Sequence, residues 1–155
     1  MALSFSTLLV VVVAVSGCTA VANATTINFV NRCGYSINLV KTENGRNSVK
    51  ECDLGAGGGS CRKSYSSNGM NFKHGWGGQG ITLAEFSFNS WQGMDFYDLS
   101  VINGFNVPMQ IESSTGGPTV TCHHQGCSDA YQYPKDDTKT KGTGTGGTFT
   151  VKFCP

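Results

Sequence analysis

The stretch that decides the fold lies at residues 83–109 and reads LAEFSFNSWQGMDFYDLSVINGFNVPM. It is rich in aromatic and β-branched residues, which favour strands. A hairpin centred on Trp91-Gln92 would place Glu85 directly opposite Asp98, because the two positions are equally far from the turn. We therefore predict two antiparallel strands here, with these two carboxyl groups as cross-strand neighbours on one face.

A second turn signal follows in the same stretch. Asn103-Gly104 stands between Ile102 and Phe105, and Asn-Gly between apolar residues is the strongest short-range signal of a type I′ hairpin turn. Both turn residues would then have positive φ. The prediction is a three-stranded meander over residues 83–109.

The carboxyl groups of Glu85 and Asp98 would have Cβ atoms about 5 Å apart in this register. Like charges placed directly opposite each other destabilise a sheet, so the arrangement requires a compensating cation or a function. Asp95 lies near the tip of the hairpin, and we expect it to be solvated.

Short alternating runs occur elsewhere in the chain, at residues 26–29, 36–40 and 149–153, whereas helical periodicity is nearly absent. The sequence has 21 glycines that separate these runs. Many short strands with Gly-rich turns predict an all-β sandwich. Residues 68–80 and 136–147 have the composition of mobile loops, and no repeat or linker divides the chain.

The first 24 residues have the pattern of a signal peptide. An apolar run from Leu8 to Val15 is followed by Ala22-Asn23-Ala24, which matches an A-x-A cleavage site. The run is too short to span a bilayer, which takes about 20 apolar residues. An alternative is a bacterial lipoprotein box that ends at Cys18. We expect cleavage after Ala24 and a secreted single domain over residues 25–155.

Cleavage would remove Cys18, one of 7 cysteines. An even number of cysteines in an exported protein indicates disulfides, although six cysteines allow fifteen pairings. The six are Cys33, Cys52, Cys61, Cys122, Cys127 and Cys154.

The net charge is +1, which gives no electrostatic attraction to nucleic acid or to an anionic membrane. His123 and His124, between Cys122 and Cys127, permit a zinc interpretation, but no second ligand pair lies at a typical distance. A disulfide around an exposed loop fits better. The Gly-rich residues 55–61 lack the Lys-Ser/Thr ending of a phosphate loop. We therefore expect no metal, no cofactor and a monomer.

Five segments together resemble the thaumatin-like proteins, the pathogenesis-related proteins of group five. They are FVNRCGYSI (29–37), TLAEFSF (82–88), MDFYDLSVINGFNVPMQI (94–111), CSDAYQYPKDD (127–137) and FTVKFCP (149–155). Only residues 112–121 separate the third segment from CHHQGC, where large members carry a second, disulfide-rich domain. The chain therefore resembles the small, single-domain subgroup.

This resemblance implies a flattened antiparallel β-sandwich in which Cys33 is bonded to Cys154. Cys52–Cys61 and Cys122–Cys127 would then be local bridges. It also implies an acidic cleft that binds β-1,3-glucan, in some members with weak endo-β-1,3-glucanase activity, and a role in antifungal defence outside the cell.

The acidic constellation of the family is one Arg, one Glu and three Asp. By motif, the Glu falls on Glu85 and one Asp on Asp98, while Asn103 stands where the family has its next Asp. The last Asp belongs to the missing domain. Arg46 and Lys73 are both candidates for the cation.

Several interpretations of these residues stay open. Glu85 and Asp98 would act as catalytic acid and partner, as sugar-binding groups, or as structural groups. Trp91 would either stack on a sugar ring or cap the edge of the sandwich. A different class of function is a non-enzymatic extracellular interaction protein, such as an inhibitor of a foreign hydrolase or an apoplastic effector, with a foreign protein as its partner.

Overall fold

A computed structural model describes residues 24–155, so the predicted signal peptide and Cys18 lie outside the described residues, apart from Ala24. The strands are β1 (Thr25–Asn31), β2 (Ile37–Glu43), β3 (Val49–Leu54), β4 (Ser60–Tyr65), β5 (Met70–His74), β6 (Leu83–Ser87), β7 (Met94–Ser100), β8 (Met109–Ser113), β9 (Val120–Cys122), β10 (Ala130–Tyr131), β11 (Lys141–Gly144) and β12 (Thr148–Phe153). A 3-10 turn at Trp91–Gly93 joins β6 to β7. Among the described residues, no helix has the length and apolar character that crossing a membrane requires.

Two sheets pack face to face. One has five strands in the order β4-β1-β12-β8-β9, and the other has seven, with β10-β7-β6-β5-β2-β3 in line and β11 also paired to β7. The predicted all-β sandwich is confirmed. It is not purely antiparallel, however, because β1 runs parallel to β12 and β10 runs parallel to β7.

The core between the two sheets consists of the inward-facing residues of the strands, which alternate with outward-facing residues along each strand. In β1 every second residue is buried, and aromatic rings fill the centre. Phe86 and Phe149 lie 5.3 Å apart between ring centroids, and Tyr97 and Phe149 lie 5.0 Å apart. These spacings are typical of favourable aromatic pairs, and each such buried side chain contributes about 2–3 kcal/mol to folding.

The predicted hairpin register is confirmed. Glu85 pairs with Asp98 and Phe86 with Tyr97 between β6 and β7. The tip uses Gln92 at φ 56° and Gly93 at φ 69°, a left-handed pair that reverses the chain.

The predicted meander is wrong beyond β7. β8 pairs with β12 and β9 in the other sheet, because β10 and β11 occupy the free edge of β7. The Asn103-Gly104 turn is also not of type I′. Gly104 has φ 107° while Asn103 is not among the residues with positive φ, and the Gly104 N–H donates to the Val101 carbonyl at 3.0 Å. Gly104 is thus the fourth residue of the turn.

Both predicted mobile loops contain strands. β5 lies within residues 68–80 and pairs with β2 and β6, and β11 lies within residues 136–147 and pairs with β7. In β5 the buried Met70 and Phe72 alternate with the outward Asn71, a strand pattern that the surrounding glycines and asparagines obscured.

Three disulfides are present: Cys33–Cys154, Cys52–Cys61 and Cys122–Cys127. The first joins positions 121 residues apart and ties the end of β1 to the end of β12. The other two close short segments at sheet edges.

Candidate functional site

A row of polar side chains crosses the outer face of the seven-stranded sheet. Thr42 of β2 pairs with Asn71 of β5, Asn71 with Glu85 of β6, and Glu85 with Asp98 of β7. The Thr140 hydroxyl, before β11, lies 3.5 Å from Asp98 Oδ2. Adjacent strands lie about 4.8 Å apart. This polar row, Thr42 to Thr140, therefore runs across the strands rather than along one of them.

A groove of about 420 Å³ lies over the middle of the polar row. Asn71, Glu85 and Asp98 form its floor. Further lining residues are Asn44, Ser87, Phe96, Ile102, Tyr131, Pro134 and Thr140. The groove therefore combines polar groups at its base with apolar and aromatic surface on its walls, as ligand sites commonly do.

The carboxyl pair, Glu85 and Asp98, lies on neighbouring strands, and both of its members have a raised pKa. Burial raises the pKa of Asp98 to about 8, with further contributions from the charge of Glu85 and a hydrogen bond to it. Burial also raises the pKa of Glu85, although hydrogen bonds from Asp98 and Ser100 act in the opposite direction. Two carboxyl groups this close titrate as one unit. With a pKa of about 8, Asp98 therefore retains a proton beside Glu85 at neutral pH.

The predicted compensating cation is absent among the described residues, where no ion pair involves Glu85 or Asp98. Arg46 is exposed and pairs with Glu43 at 3.1 Å. Lys73 lies on the same face of β5 as Asn71, but it is not among the groove-lining residues, and burial lowers its pKa. Because the pKa of Asp98 is raised to about 8, a proton on Asp98 relieves the repulsion at neutral pH in place of a cation.

Two oxygen atoms in the groove have no donor within residues 24–155. Oδ1 of Asn71 and Oδ1 of Asp98 are buried without a hydrogen-bond partner in this part of the chain, and both residues line the groove. Buried polar atoms in proteins are nearly always hydrogen-bonded, to protein or to water. A water molecule or a ligand hydroxyl in the groove can donate to both oxygens.

Trp91 and Asn103 do not line the groove. Trp91 is 68% exposed at the tip of the β6–β7 hairpin. Asn103 is exposed in the turn after β7, where its carbonyl accepts the Gly80 N–H. Of the six residues predicted to bind a ligand, only Glu85 and Asp98 meet in this groove.

The expectation that Asp95 is solvated is wrong. Asp95 is fully buried, and its two carboxyl oxygens accept hydrogen bonds from the Thr25 hydroxyl at 2.5 Å and from the Asn89 N–H at 2.8 Å. It faces the interior because it alternates with the outward Phe96 along β7. The first strand of the other sheet covers it.

Sequence analysis missed Asn71, Thr140 and the apolar walls. Asn71 was not predicted as a site residue because residues 68–80, which contain its strand, were predicted to be a loop. The signal that could have found it is the alternation of Met70 and Phe72 around it, which places Asn71 on the outward face beside Glu85.

We expect Asp98→Asn to remove a pH dependence of stability. The folded-state pKa of Asp98, about 8, lies above its ordinary value of 3.8, so the folded protein keeps a proton that the unfolded chain releases. This proton uptake stabilises the folded state. The stabilisation is fully present below about pH 4 and is lost as the pH rises through about 8. The melting temperature of the wild type should therefore fall relative to Asp98→Asn between pH 5 and 9. Parallel pH profiles of the two proteins would show that the pKa of Asp98 is not raised in the folded state.

Comparisons with known proteins place the chain in a family. The model of the thaumatin family matches residues 11–129. A thaumatin-like protein of Oryza sativa subsp. japonica is 35% identical over 174 aligned positions, which cover 97% of this chain and 96% of the relative. Thaumatin-like pathogenesis-related protein 4 of Avena sativa is 31% identical, with coverage of 88% and 90%.

Solved structures share the fold. The thaumatin-like xylanase inhibitor TLXI superposes with a TM-score of 0.62 at 19% identity, over 83% of this chain and 99% of the inhibitor. The protein elicitor MoHrip2 from Magnaporthe oryzae gives 0.65 at 16% identity, over 85% and 100%. The sandwich, the motifs around the carboxyl pair and the family match agree, and the chain belongs to the thaumatin family.

Proposed function

We propose that this protein is a secreted, defence-associated member of the thaumatin family whose groove binds a neutral polysaccharide of a cell wall, most specifically β-1,3-glucan. The observation that carries the proposal is the carboxyl pair, whose two members lie opposite each other at the base of the groove, beside an Asn71 oxygen that has no donor within residues 24–155.

Sugar hydroxyls match this floor chemically. Each hydroxyl donates one hydrogen bond and accepts others, so it can donate to Asn71 Oδ1 or to the ionised member of the carboxyl pair. The ring faces of a sugar are apolar, and Phe96, Ile102 and Tyr131 supply apolar surface on the walls. An anionic polymer would instead meet the negative charge of the pair.

The geometry favours binding over hydrolysis. Retaining glycosidases hold their two carboxyl groups about 5–5.5 Å apart and inverting enzymes farther apart, so that the reacting sugar and water fit between them. Here Glu85 and Asp98 lie directly opposite each other on β6 and β7, where Cβ atoms are about 5 Å apart, so the two carboxyl groups can contact each other. A glycosidase role would require the pair to separate when substrate enters.

Retention on insoluble polysaccharides tests the proposal. The secreted protein is mixed with β-1,3-glucan, cellulose or chitin, and the bound fraction is measured after washing. We expect selective retention on the glucan, since its hydroxyls and ring faces match the groove. Trp91→Ala is a matched control, because Trp91 lies outside the groove, and it should be retained like the wild type.

The second candidate function is recognition of a foreign protein. The fold is shared with a protein named a xylanase inhibitor and with one named an elicitor. Large side chains that do not line the groove are also exposed, at Trp76, Trp91 and Tyr133. Absence of retention on all three polysaccharides would favour this function over the first.

A further inference from the structure

The first residue after the predicted cleavage site is built into the interior of the sandwich. β1 begins at Thr25, immediately after Ala24, and Thr25 is fully buried whereas Ala24 is exposed. The Thr25 hydroxyl donates to Asp95 Oδ2 at 2.5 Å and accepts the Gly146 N–H at 3.2 Å. The position that would become the chain terminus thus contacts a buried carboxyl group directly.

Asp95 has no cationic partner among the described residues, where none of the ion pairs involves it. Within residues 24–155, its two oxygens accept hydrogen bonds from the Thr25 hydroxyl and from the Asn89 N–H. An ionised carboxyl group buried without a counter-charge is costly, and such groups are usually paired. A cation delivered to this end of the sandwich would therefore stabilise the fold.

We propose that removal of residues 1–24 supplies this cation, because the new α-ammonium group of Thr25 becomes the counter-ion of Asp95. Hydrolysis breaks the bond between the Ala24 carbonyl carbon and the Thr25 nitrogen, and one water gives the Ala24 carboxyl group and the free amine. A terminal amine with a pKa near 8 is mostly protonated at neutral pH. The nitrogen and the hydroxyl of Thr25 are separated only by Cα and Cβ, and the hydroxyl touches Asp95, so the charge forms within the ~4–6 Å over which an opposite charge favours an ionised carboxyl group.

The ion pair would connect three parts of the molecule. Thr25 belongs to the five-stranded sheet and Asp95 to the seven-stranded sheet. Asp95 also accepts a hydrogen bond from the Asn89 N–H at the hairpin tip. Asn89 has φ 45° and Gln92 has φ 56°, so the hairpin tip contains backbone that costs energy to maintain. Processing would thereby fix the β6–β7 hairpin, which carries the carboxyl pair on its outer face.

Three N-terminal forms of the secreted protein test the inference: a chain that begins at Thr25, a chain that begins at Ala24, and the Thr25 chain with its α-amine acetylated. The first two have equal net charge, and the additional alanine of the second moves the ammonium group one residue away from Thr25. Mass spectrometry of the naturally processed protein should give Thr25 as the first residue. Its melting temperature should exceed that of each of the other two forms by about 4 °C.

The same three forms are then made with Asp95→Asn. Asparagine keeps the shape of the side chain but removes the charge, so the three melting temperatures should agree within about 1 °C. If this variant does not fold, the comparison of free and acetylated Thr25 in the Asp95 protein still decides. Equal melting temperatures there, or a natural first residue other than Thr25, would overturn the inference without bearing on glucan binding.

Discussion

Replacement of Cys33 and Cys154 by alanine should lower the free energy of unfolding by about 5 kcal/mol. The bond spans 121 residues, and the chain-entropy model assigns a larger stabilisation to a longer closed loop. Cys33 is also buried, with 2% exposure, so the variant loses packing between β1 and the C-terminus. Urea unfolding without reductant, followed by circular dichroism, measures the loss.

The matched control for this variant is the removal of Cys122–Cys127. That bond separates residues only 5 positions apart, for which the same model gives about 2 kcal/mol. The long-range bond should therefore contribute about 3 kcal/mol more to the free energy of unfolding than the local bond does. Equal losses in the two variants would mean that loop length does not determine how the disulfides stabilise this fold.

Gly104→Val should cost about 3 kcal/mol or more, for two separate reasons. Gly104 has φ 107°, and a Cβ atom there would lie 2.6 Å from Gly80 Cα and 3.0 Å from Gly80 N. Because the contact is with backbone, no side-chain rotation relieves it. The Gly80 N–H also donates to the Asn103 carbonyl, so displacement of Gly80 breaks the contact between the two loops.

Gly116→Val separates the two causes. Gly116 has φ 86°, but a Cβ atom there meets nothing within 4 Å, so this variant has backbone strain without the clash. Thermal melting should rank the wild type first, Gly116→Val second and Gly104→Val last. If the two variants melt together, the close approach of Gly80 contributes nothing.

The sequence predicted the β6–β7 hairpin in register because the information is local. The two strands are adjacent in the chain, and the alternation of Phe86 and Tyr97 around the carboxyl pair sets which face is buried. The next pairing was not predictable in this way. Asn103-Gly104 is a strong local turn signal, yet the choice between a third hairpin strand and a crossover depends on β10 and β11, which are distant in sequence.

The environment of Asp95 was unpredictable for the same reason. A carboxyl group near a hairpin tip is ordinarily solvated. Its burial depends on Thr25, which lies 70 positions away in the other sheet. Nothing near Asp95 in the sequence indicates that contact.

The carboxyl pair was predictable in position but not in its charge state. Cross-strand register placed Glu85 beside Asp98, and repulsion then required relief, which was expected from Arg46 or Lys73. Neither cation lies in the groove. The charge state of the pair depends on burial, because burial raises the pKa of Asp98 to about 8 and Asp98 then keeps a proton at neutral pH. Burial of the two carboxyl groups depends in turn on residues distant in sequence that form the walls of the groove.

Titration calorimetry with a soluble β-1,3-linked oligosaccharide tests the central claim most directly. The wild type and the Trp91→Ala control should bind with equal affinity. Glu85→Gln/Asp98→Asn should fold normally, but it should bind at least about tenfold more weakly, a change of about 1.4 kcal/mol, because amides replace the charged acceptor on the groove floor. Unchanged affinity in the double variant would contradict the claim that the carboxyl pair binds the ligand.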